Sequence, residues 1–175
     1  MIRDKIKQEM ATLAPVAMLE TDHAVKGYDL DVRVSPEQVV AAAEIMDRAG
    51  FFIEAVTGVD WLAEAKTAPP KPQAPSETGE QAEGGEMPPE EAAPVAPEME
   101  VVYDFSTTSE RCRVVVRTRI PRDNPELPSI QQIYPGANWH ERETHDFFGI
   151  KFAGHPDLTP FLLPEDADFH PLLKG

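Results

Sequence analysis

The most informative segment of this 175-residue sequence is NWHERETHDFFGIKFAGHPD, residues 138–157. Pro-Gly-Ala precedes Asn138, a turn-forming sequence with an N-capping residue at its end. We therefore predict a helix over 139–148 that ends at Gly149. Paired charges crowd this helix, and a doubled Phe, two Gly and a His-Pro-Asp follow them. Function should be sought here, because the rest of the sequence is typical of a scaffold.

Upstream of this helix the sequence predicts strands and helices in alternation. Apolar residues alternate with charged ones from Tyr28 to Val34, the pattern of a half-buried strand, and Ser35-Pro36-Glu37-Gln38 is a helix start with a capping box. We predict a small α+β domain, a mixed α/β fold in which helices pack on a mostly antiparallel sheet. The predicted order is a helix over 2–13, a strand over 28–34, a helix over 35–49, a strand over 51–61 that Gly58 could interrupt, and a hairpin of strands over 100–105 and 111–119.

Residues 65–98 have a composition of their own. They hold eight Pro, seven Glu and two Lys, and no Leu, Ile, Phe, Tyr or Trp. Such a segment cannot bury enough apolar surface to offset its ordering entropy, so we predict a disordered acidic insert. The domain would then comprise residues 1–64 and 99–150. If the strands that flank the insert pair, the insert leaves from the tip of a hairpin.

Composition excludes several classes of function. The net charge of −15 and the pI of about 4.6 argue against a nucleic-acid partner, which requires a basic surface. The one cysteine, Cys112, rules out an internal disulfide and any cluster held by several thiolates of this protein. No apolar run is long enough for a signal peptide or a membrane span. We therefore expect a cytoplasmic protein, for which any membrane attachment would have to come through a partner.

A metal-dependent hydrolase is the main enzymatic alternative. A zinc peptidase needs two His one helical turn apart, but His140 and His145 are five positions apart and diverge by about 140° on a helix. A looser site could combine Glu141 and His145, which share a face, with His155 or His170. The alternative hypothesis is a stand-alone metal-dependent hydrolase that uses Glu141, His145 and His155.

Two further interpretations of the charged helix are acid–base catalysis and docking on another subunit. Glu141 and Glu143 are two positions apart and point to different faces, so they cannot share one substrate bond. A docking helix needs side chains that pair along its surface and no catalytic geometry. Three such pairs lie one turn apart: Glu141 with His145, Arg142 with Asp146, and Glu143 with Phe147. The tail over 151–175 has no helical period and is too apolar to remain in water. We predict an extended docking tail that wraps a neighbouring subunit.

These residues resemble a known family, the 30-kilodalton subunit of respiratory complex I (NADH dehydrogenase), with its counterparts in energy-converting membrane-bound NiFe hydrogenases. The shared run comprises Trp139, Glu141, Arg142, Glu143, Asp146, Phe147, Phe148, Gly149, Ile150, Phe152, Gly154, His155, Pro156, Asp157 and Leu158. It continues in 163–166 and 170–172, and Thr57-Gly58-Val59-Asp60 and Pro128-Ser129-Ile130 resemble upstream family positions. A shared run of this length is specific to a family, unlike a motif of three residues.

The resemblance implies a subunit of an oxidoreductase that has no active site and no cofactor of its own. It implies packing on a large catalytic subunit that holds a quinone or NiFe site, beside a small subunit with an iron–sulfur cluster. The implied interface residues are Trp139, Glu141, Arg142, Glu143, Asp146, Phe148, Gly149, His155, Pro156, Asp157 and Leu158.

Two departures from the complex I pattern refine this expectation. Thr159-Pro160 stands where complex I members usually have two Arg, and Leu173-Lys174 stands where a basic pair is usual. These departures favour a complex of the energy-converting hydrogenase type.

Overall fold

A five-stranded sheet organises the computed structural model, which describes residues 1–61 and 97–174. Its strands lie in the order β1-β2-β5-β4-β3, and only β2 and β5 run parallel among neighbours. This arrangement confirms the predicted α+β class with a mostly antiparallel sheet. The strands are β1 (Ala17–Glu20), β2 (Leu30–Val34), β3 (Phe52–Asp60), β4 (Glu98–Thr107) and β5 (Cys112–Pro121).

Helices and a second, two-stranded sheet complete the fold. A 3-10 turn over Pro36–Gln38 precedes the third helix and carries the predicted capping box. Strands β6 (Glu126–Pro128) and β7 (Lys151–Ala153) pair in parallel. The helices are α1 (Ile2–Ala11), α2 (His23–Lys26), α3 (Val39–Arg48) and α4 (Ala137–Phe148).

The core lies between one face of the large sheet and helices α1 and α3. Because side chains alternate along a strand, Leu30, Val32 and Val34 are buried while the charged residues between them face the other side. Ile6 of α1 and Met46 of α3 are fully buried against this face. The opposite face of the sheet is largely charged, since it carries the intervening residues of β2, β4 and β5.

Strands β3 and β4 pair over their full length. Asp60 lies opposite Met99, and the Trp61 N–H donates to the Glu98 carbonyl at 3.2 Å. The strands that flank the insert therefore pair, which is the condition for the insert to leave from the tip of a hairpin. The disorder predicted for 65–98 falls on residues outside the described ones as far as 96. Its last two residues are described, and there the predicted boundary is wrong, because β4 begins at Glu98 and Pro97 directly precedes it.

Several boundaries differ from the sequence prediction. Helix α4 begins at Ala137 with Gly136 at the N-cap, so Asn138 lies inside the helix and does not cap it. Gly149 ends α4 in the left-handed conformation, as predicted, with φ 72°. Gly58 does not interrupt β3; the register irregularity falls between Ile53 and Ala55. Strands β1, β6 and β7 and helix α2 were not predicted from the sequence.

Candidate functional site

Helix α4 is fixed on β3 by a close approach and a buried hydrogen bond. The Phe148 ring packs on Gly58, where an added Cβ would lie only 2.5 Å from the ring. The Thr144 hydroxyl donates to the Val56 carbonyl at 3.1 Å. A glycine in the strand therefore serves helix packing, and the position of α4 against the sheet is well determined.

Glu141 lies on the inner face of α4 and is fully buried. Its carboxylate accepts from the Ser129 hydroxyl at 2.5 Å and from the Ile130 N–H at 2.8 Å. Burial raises the pKa of Glu141 to about 7, although these two hydrogen bonds oppose the rise. Glu141 therefore ties α4 to the chain just after β6 and titrates near neutrality.

Asp146, about one and a half turns further on, is also buried but holds a different segment. One of its carboxylate oxygens accepts from three successive N–H groups, those of Phe161, Leu162 and Leu163, at 2.8, 2.7 and 3.3 Å. Burial acts to raise the pKa of Asp146, but the three backbone donors and nearby His145 outweigh it and lower the pKa. Asp146 thus fixes the backbone of 161–163.

Arg142 points outward between these two acids and joins an aromatic stack. Its guanidinium lies 5.4 Å from the centre of the Trp139 ring and 5.2 Å from that of Phe161, and the two rings are 4.9 Å apart. It also donates to the Thr159 carbonyl at 3.1 Å. The expected helical pair of Arg142 with Asp146 is therefore wrong, since both side chains have partners in the C-terminal segment.

Three histidines of α4 and the C-terminal segment face backbone carbonyls. His145 and His170 use Nδ1 toward the carbonyls of Ile150 and Asp146, at 2.9 and 2.8 Å. His155 Nδ1 accepts from the Asp157 N–H, so its Nε2 carries the proton of the neutral ring and faces the Asn138 carbonyl at 3.3 Å. The expected pair of Glu141 with His145 is wrong as well, because each side chain is engaged elsewhere.

The hydrolase alternative finds no assembled site in the described residues. The Nε2 of His155 is 3.9 Å from the Glu141 carboxylate, but His145 faces the end of α4. Within 1–61 and 97–174, no three His, Cys, Asp or Glu side chains gather as metal ligands would. The structure thus brings two of the three proposed residues together and leaves the third apart.

The C-terminal segment folds back on its own domain. The Leu172 N–H donates to the Phe147 carbonyl at 3.1 Å, and the Lys174 N–H donates to the Asp60 carboxylate at 2.9 Å. Arg122 donates to the same carboxylate at 3.2 Å. The tail was expected to wrap a neighbouring subunit, but its backbone is anchored on its own domain from Phe161 onward.

Large apolar side chains of the C-terminal segment, and one of α4, nevertheless stay exposed. We call the exposed residues Trp139, Phe161, Leu162, Phe169 and Leu172 the apolar rim; between 41% and 56% of each is accessible to solvent. Apolar side chains of this size, held together by an ordered backbone, are typical of protein interfaces.

The residues proposed for the interface divide into two groups in the structure. Glu141, Asp146 and Phe148 are buried within the chain, where the two acids hold backbone segments. The imidazole of His155 is also buried, beside Glu141. The others are partly or fully exposed: Trp139, Arg142, Glu143, Gly149, Pro156, Asp157 and Leu158. Phe161 and Leu162 were not among the proposed interface residues, although they belong to the apolar tail that was expected to dock.

Fold and site together define a small α+β domain in which helix α4 and the C-terminal segment present an apolar rim. The sequence profile described as "Respiratory-chain NADH dehydrogenase, 30 Kd subunit" matches residues 32–175. This chain therefore belongs to the 30-kilodalton subunit family of respiratory-chain NADH dehydrogenase.

Named relatives agree with this family. An NADH-quinone oxidoreductase subunit of Roseiflexus castenholzii is 34% identical over 150 residues, which are 83% of this chain and 68% of the relative. The subunit of the same name from Mycolicibacterium paratuberculosis is 44% identical over 77 residues, 44% of this chain and 33% of the relative.

Two solved structures share the fold. A trypsin-resistant fragment of Nqo5 superposes with a TM-score of 0.62 at 24% identity, covering 90% of this chain and all of the fragment. A polypeptide of an archaeal membrane-bound sulfane sulfur reductase superposes with a TM-score of 0.64 at 23% identity, covering 94% of this chain and 78% of that polypeptide. In the part of the sequence that the structure describes, no helix has the length and apolar character to cross a membrane.

Proposed function

We propose that this chain is a non-catalytic subunit of a complex I-like, membrane-associated oxidoreductase, and that it docks on the large catalytic subunit of that complex. Family membership supports the class of complex, and the named relatives are subunits of NADH-quinone oxidoreductases. The proposed contact surface is the outer side of α4 together with the apolar rim.

The stack of Trp139, Arg142 and Phe161 is the observation that carries this proposal. Leu162, the residue after Phe161 in the chain, is also exposed. Trp and Arg are among the side chains most enriched at positions that dominate binding energy in protein interfaces. Here the stack is ordered before any partner binds, because Asp146 holds the backbone of 161–163. Preorganised contact residues lose less conformational entropy on association.

The buried acids have a supporting part in this proposal. Glu141 and Asp146 shape the surface from beneath, while Trp139, Arg142, Pro156 and Asp157 are available to the partner. Substitution of the acids should therefore impair docking indirectly, by releasing the segments that they hold.

The proposal extends to the rest of the complex. The redox groups would lie in partner subunits, as iron–sulfur clusters with either a quinone site or a NiFe site, and this protein would sit peripherally on the inner face of the cell membrane. The proposal that the complex is of the energy-converting hydrogenase type rests on Thr159-Pro160 and Leu173-Lys174. They replace pairs that are usually basic in complex I.

Affinity purification of the tagged full-length protein from native membranes tests the docking surface. Leu162→Arg places a charge in the apolar rim, and we expect the yield of the large subunit to fall at least about tenfold, since a buried unpaired charge costs several kcal/mol. Val25→Arg is the matched control, because Val25 is 75% exposed on α2, outside the apolar rim. It should retain the large subunit.

Equal recovery of the large subunit by wild type and Leu162→Arg would count against this surface. Arg142→Ala should likewise reduce recovery more than it lowers the melting temperature of the isolated protein. Mass spectrometry and nickel analysis of the recovered large subunit separate the two types of complex, since nickel is expected only in the hydrogenase type.

A further inference from the structure

A groove lies between β6 and the 3-10 turn that precedes α3. Glu37 and Val40 line it on the side of the turn, and Glu126 and Pro128 line it on the side of β6. Its volume is about 590 Å³, within the range of about 300–1,000 Å³ that is typical of binding clefts. The groove shares no lining residue with the apolar rim, so it is a separate surface.

Strand β6 has an open edge at this groove. On its other edge it pairs with β7, where the Ser129 N–H donates to the Ala153 carbonyl at 2.9 Å. Backbone groups point alternately to the two edges of a strand, so those of Glu126 and Pro128 point away from β7. In the described part of the chain, no further strand pairs with β6.

The backbone groups on this edge belong to accessible residues. Glu126 is exposed and Pro128 is half-buried. The N–H and carbonyl of Glu126 and the carbonyl of Pro128 have no hydrogen-bond partner within residues 1–61 and 97–174. An unpaired edge of this kind is a template for a further strand.

The groove combines apolar walls with acidic side chains. Pro36 and Val40 supply apolar surface, and Glu37 and Glu126 supply two exposed carboxylates. No Lys, Arg or His is found among the described residues that line it. Lys151 is the register neighbour of Glu126 in β7, but no ion pair joins the two side chains. A complementary ligand must therefore carry positive charge as well as apolar surface.

We propose that this groove binds an extended basic segment of a partner protein, which adds a strand to the open edge of β6. Main-chain groups of the segment pair with the N–H and carbonyl of Glu126. A Lys or Arg of the segment faces the carboxylates of Glu37 and Glu126, and an apolar residue contacts Val40. Strand addition of this kind takes its affinity from main-chain hydrogen bonds and its specificity from side-chain contacts.

Charge argues against two other occupants of the groove. Residues 65–98 of this protein hold seven Glu and two Lys, so the acidic lining repels them. A second copy of the protein brings a net charge of −15, which opposes self-association at an acidic surface. A basic segment of another protein meets neither objection.

Amide hydrogen exchange of the ¹⁵N-labelled full-length protein tests the proposal. The probe is the blocked peptide Lys-Val-Lys-Val-Lys, with Gln-Val-Gln-Val-Gln and Glu-Val-Glu-Val-Glu as its neutral and acidic counterparts. We expect saturable binding of the basic peptide, weaker binding of the neutral one and none of the acidic one. At saturation, exchange of the Glu126 N–H should slow at least about tenfold, because a newly bonded N–H exchanges only when its bond opens. The Leu127 N–H faces β7 and should stay slow throughout.

Combining Glu37→Gln with Glu126→Gln should weaken binding of the basic peptide about tenfold, the worth of two exposed ion pairs. The charge-matched control combines Glu165→Gln with Asp166→Asn, since both acids are exposed in the C-terminal segment, outside the groove. It should bind as the wild type does. Val40→Lys places a charge on the apolar wall and should abolish binding.

Equal binding of the basic peptide by wild type and the variant that lacks both groove carboxylates would overturn the proposal. Binding without slower exchange at Glu126 would also refute it, because attraction between charges does not require strand pairing. Equal binding of the basic and neutral peptides would refute the basic partner. Leu162→Arg should bind the basic peptide as wild type does, so failure of the groove is distinguishable from failure of the docking surface proposed above.

Discussion

Glu141 and Asp146 lie five positions apart on α4, and both are buried, yet their pKa values shift in opposite directions. Burial raises that of Glu141 to about 7, against two hydrogen bonds. Burial also disfavours ionised Asp146, but three backbone N–H groups and nearby His145 lower its pKa overall. The comparison shows that burial alone does not determine the charge state of an acid; the donors around it decide.

The two acids also differ in what they hold. Glu141 fixes the residues that follow β6, a segment that is part of the core, since Ile130 is 1% exposed. Asp146 fixes 161–163, which lie at the surface and present the apolar rim. Loss of Glu141 should therefore affect the whole fold, whereas loss of Asp146 should affect mainly the docking surface.

The largest effect is expected for the pH dependence that Glu141 confers. Its pKa is about 7 in the folded protein and near 4.5 when unfolded, so the folded state binds the extra proton between these values. The stability it contributes is present below about pH 4.5 and is lost as the pH rises through 7. The loss should amount to about 3 kcal/mol.

Glu141→Gln should remove this dependence, because the amide does not titrate in the range. Urea unfolding of wild type and variant at about pH 5 and pH 8 measures the difference. Glu143→Gln is the matched control, since it removes a half-buried helical carboxylate two positions away and should keep the wild-type slope. If the free energy of unfolding changes equally with pH in wild type and Glu141→Gln, Glu141 stays ionised in the folded protein.

A smaller effect is expected for Asp146→Asn. The folded pKa of Asp146 is lowered, so its contribution to stability is present above its unfolded pKa and is lost as the pH falls through the folded value. We expect a loss of about 2 kcal/mol at neutral pH, from weaker hydrogen bonds to 161–163. Amide hydrogen exchange should accelerate at Leu162 and remain slow at Ile130.

The exposed acid Asp166 offers a control for the charge change, since Asp166→Asn removes a carboxylate from the same C-terminal segment. It should leave exchange at Leu162 unchanged. If Asp146→Asn accelerates exchange at Ile130 as much as at Leu162, the two acids belong to one cooperative unit and the division proposed above fails.

The sequence was sufficient for elements that carry their own local signals. The alternation in β2, the capping box before α3 and Gly149 after α4 each reflect short-range physics that a single sequence displays. The short strands β1, β6 and β7 have three or four residues and no clear alternation, so only their partners define them.

Side-chain partners on α4 were not predictable from helical spacing. Spacing pairs Arg142 with Asp146, but Asp146 meets backbone N–H groups 15 to 17 positions away. Spacing likewise pairs Glu141 with His145, but Glu141 meets Ser129 and Ile130, 12 and 11 positions away. Backbone donors made available by tertiary structure compete with exposed helical pairs, which are worth only a few tenths of a kcal/mol.

The smallest expected effect separates burial from hydrogen bonding at Glu141. Ser129→Ala removes the hydroxyl donor while the Ile130 N–H remains, so the pKa of Glu141 should rise further above its usual value. The cost should be about 1 kcal/mol above neutral pH, where the carboxylate is ionised, and less at about pH 5, where it is protonated. The titration midpoint of the ¹³C-labelled Glu141 carboxyl measures this directly. An unchanged midpoint would mean that the Ser129 hydroxyl does not lower the pKa of Glu141, so that only the Ile130 N–H opposes the effect of burial.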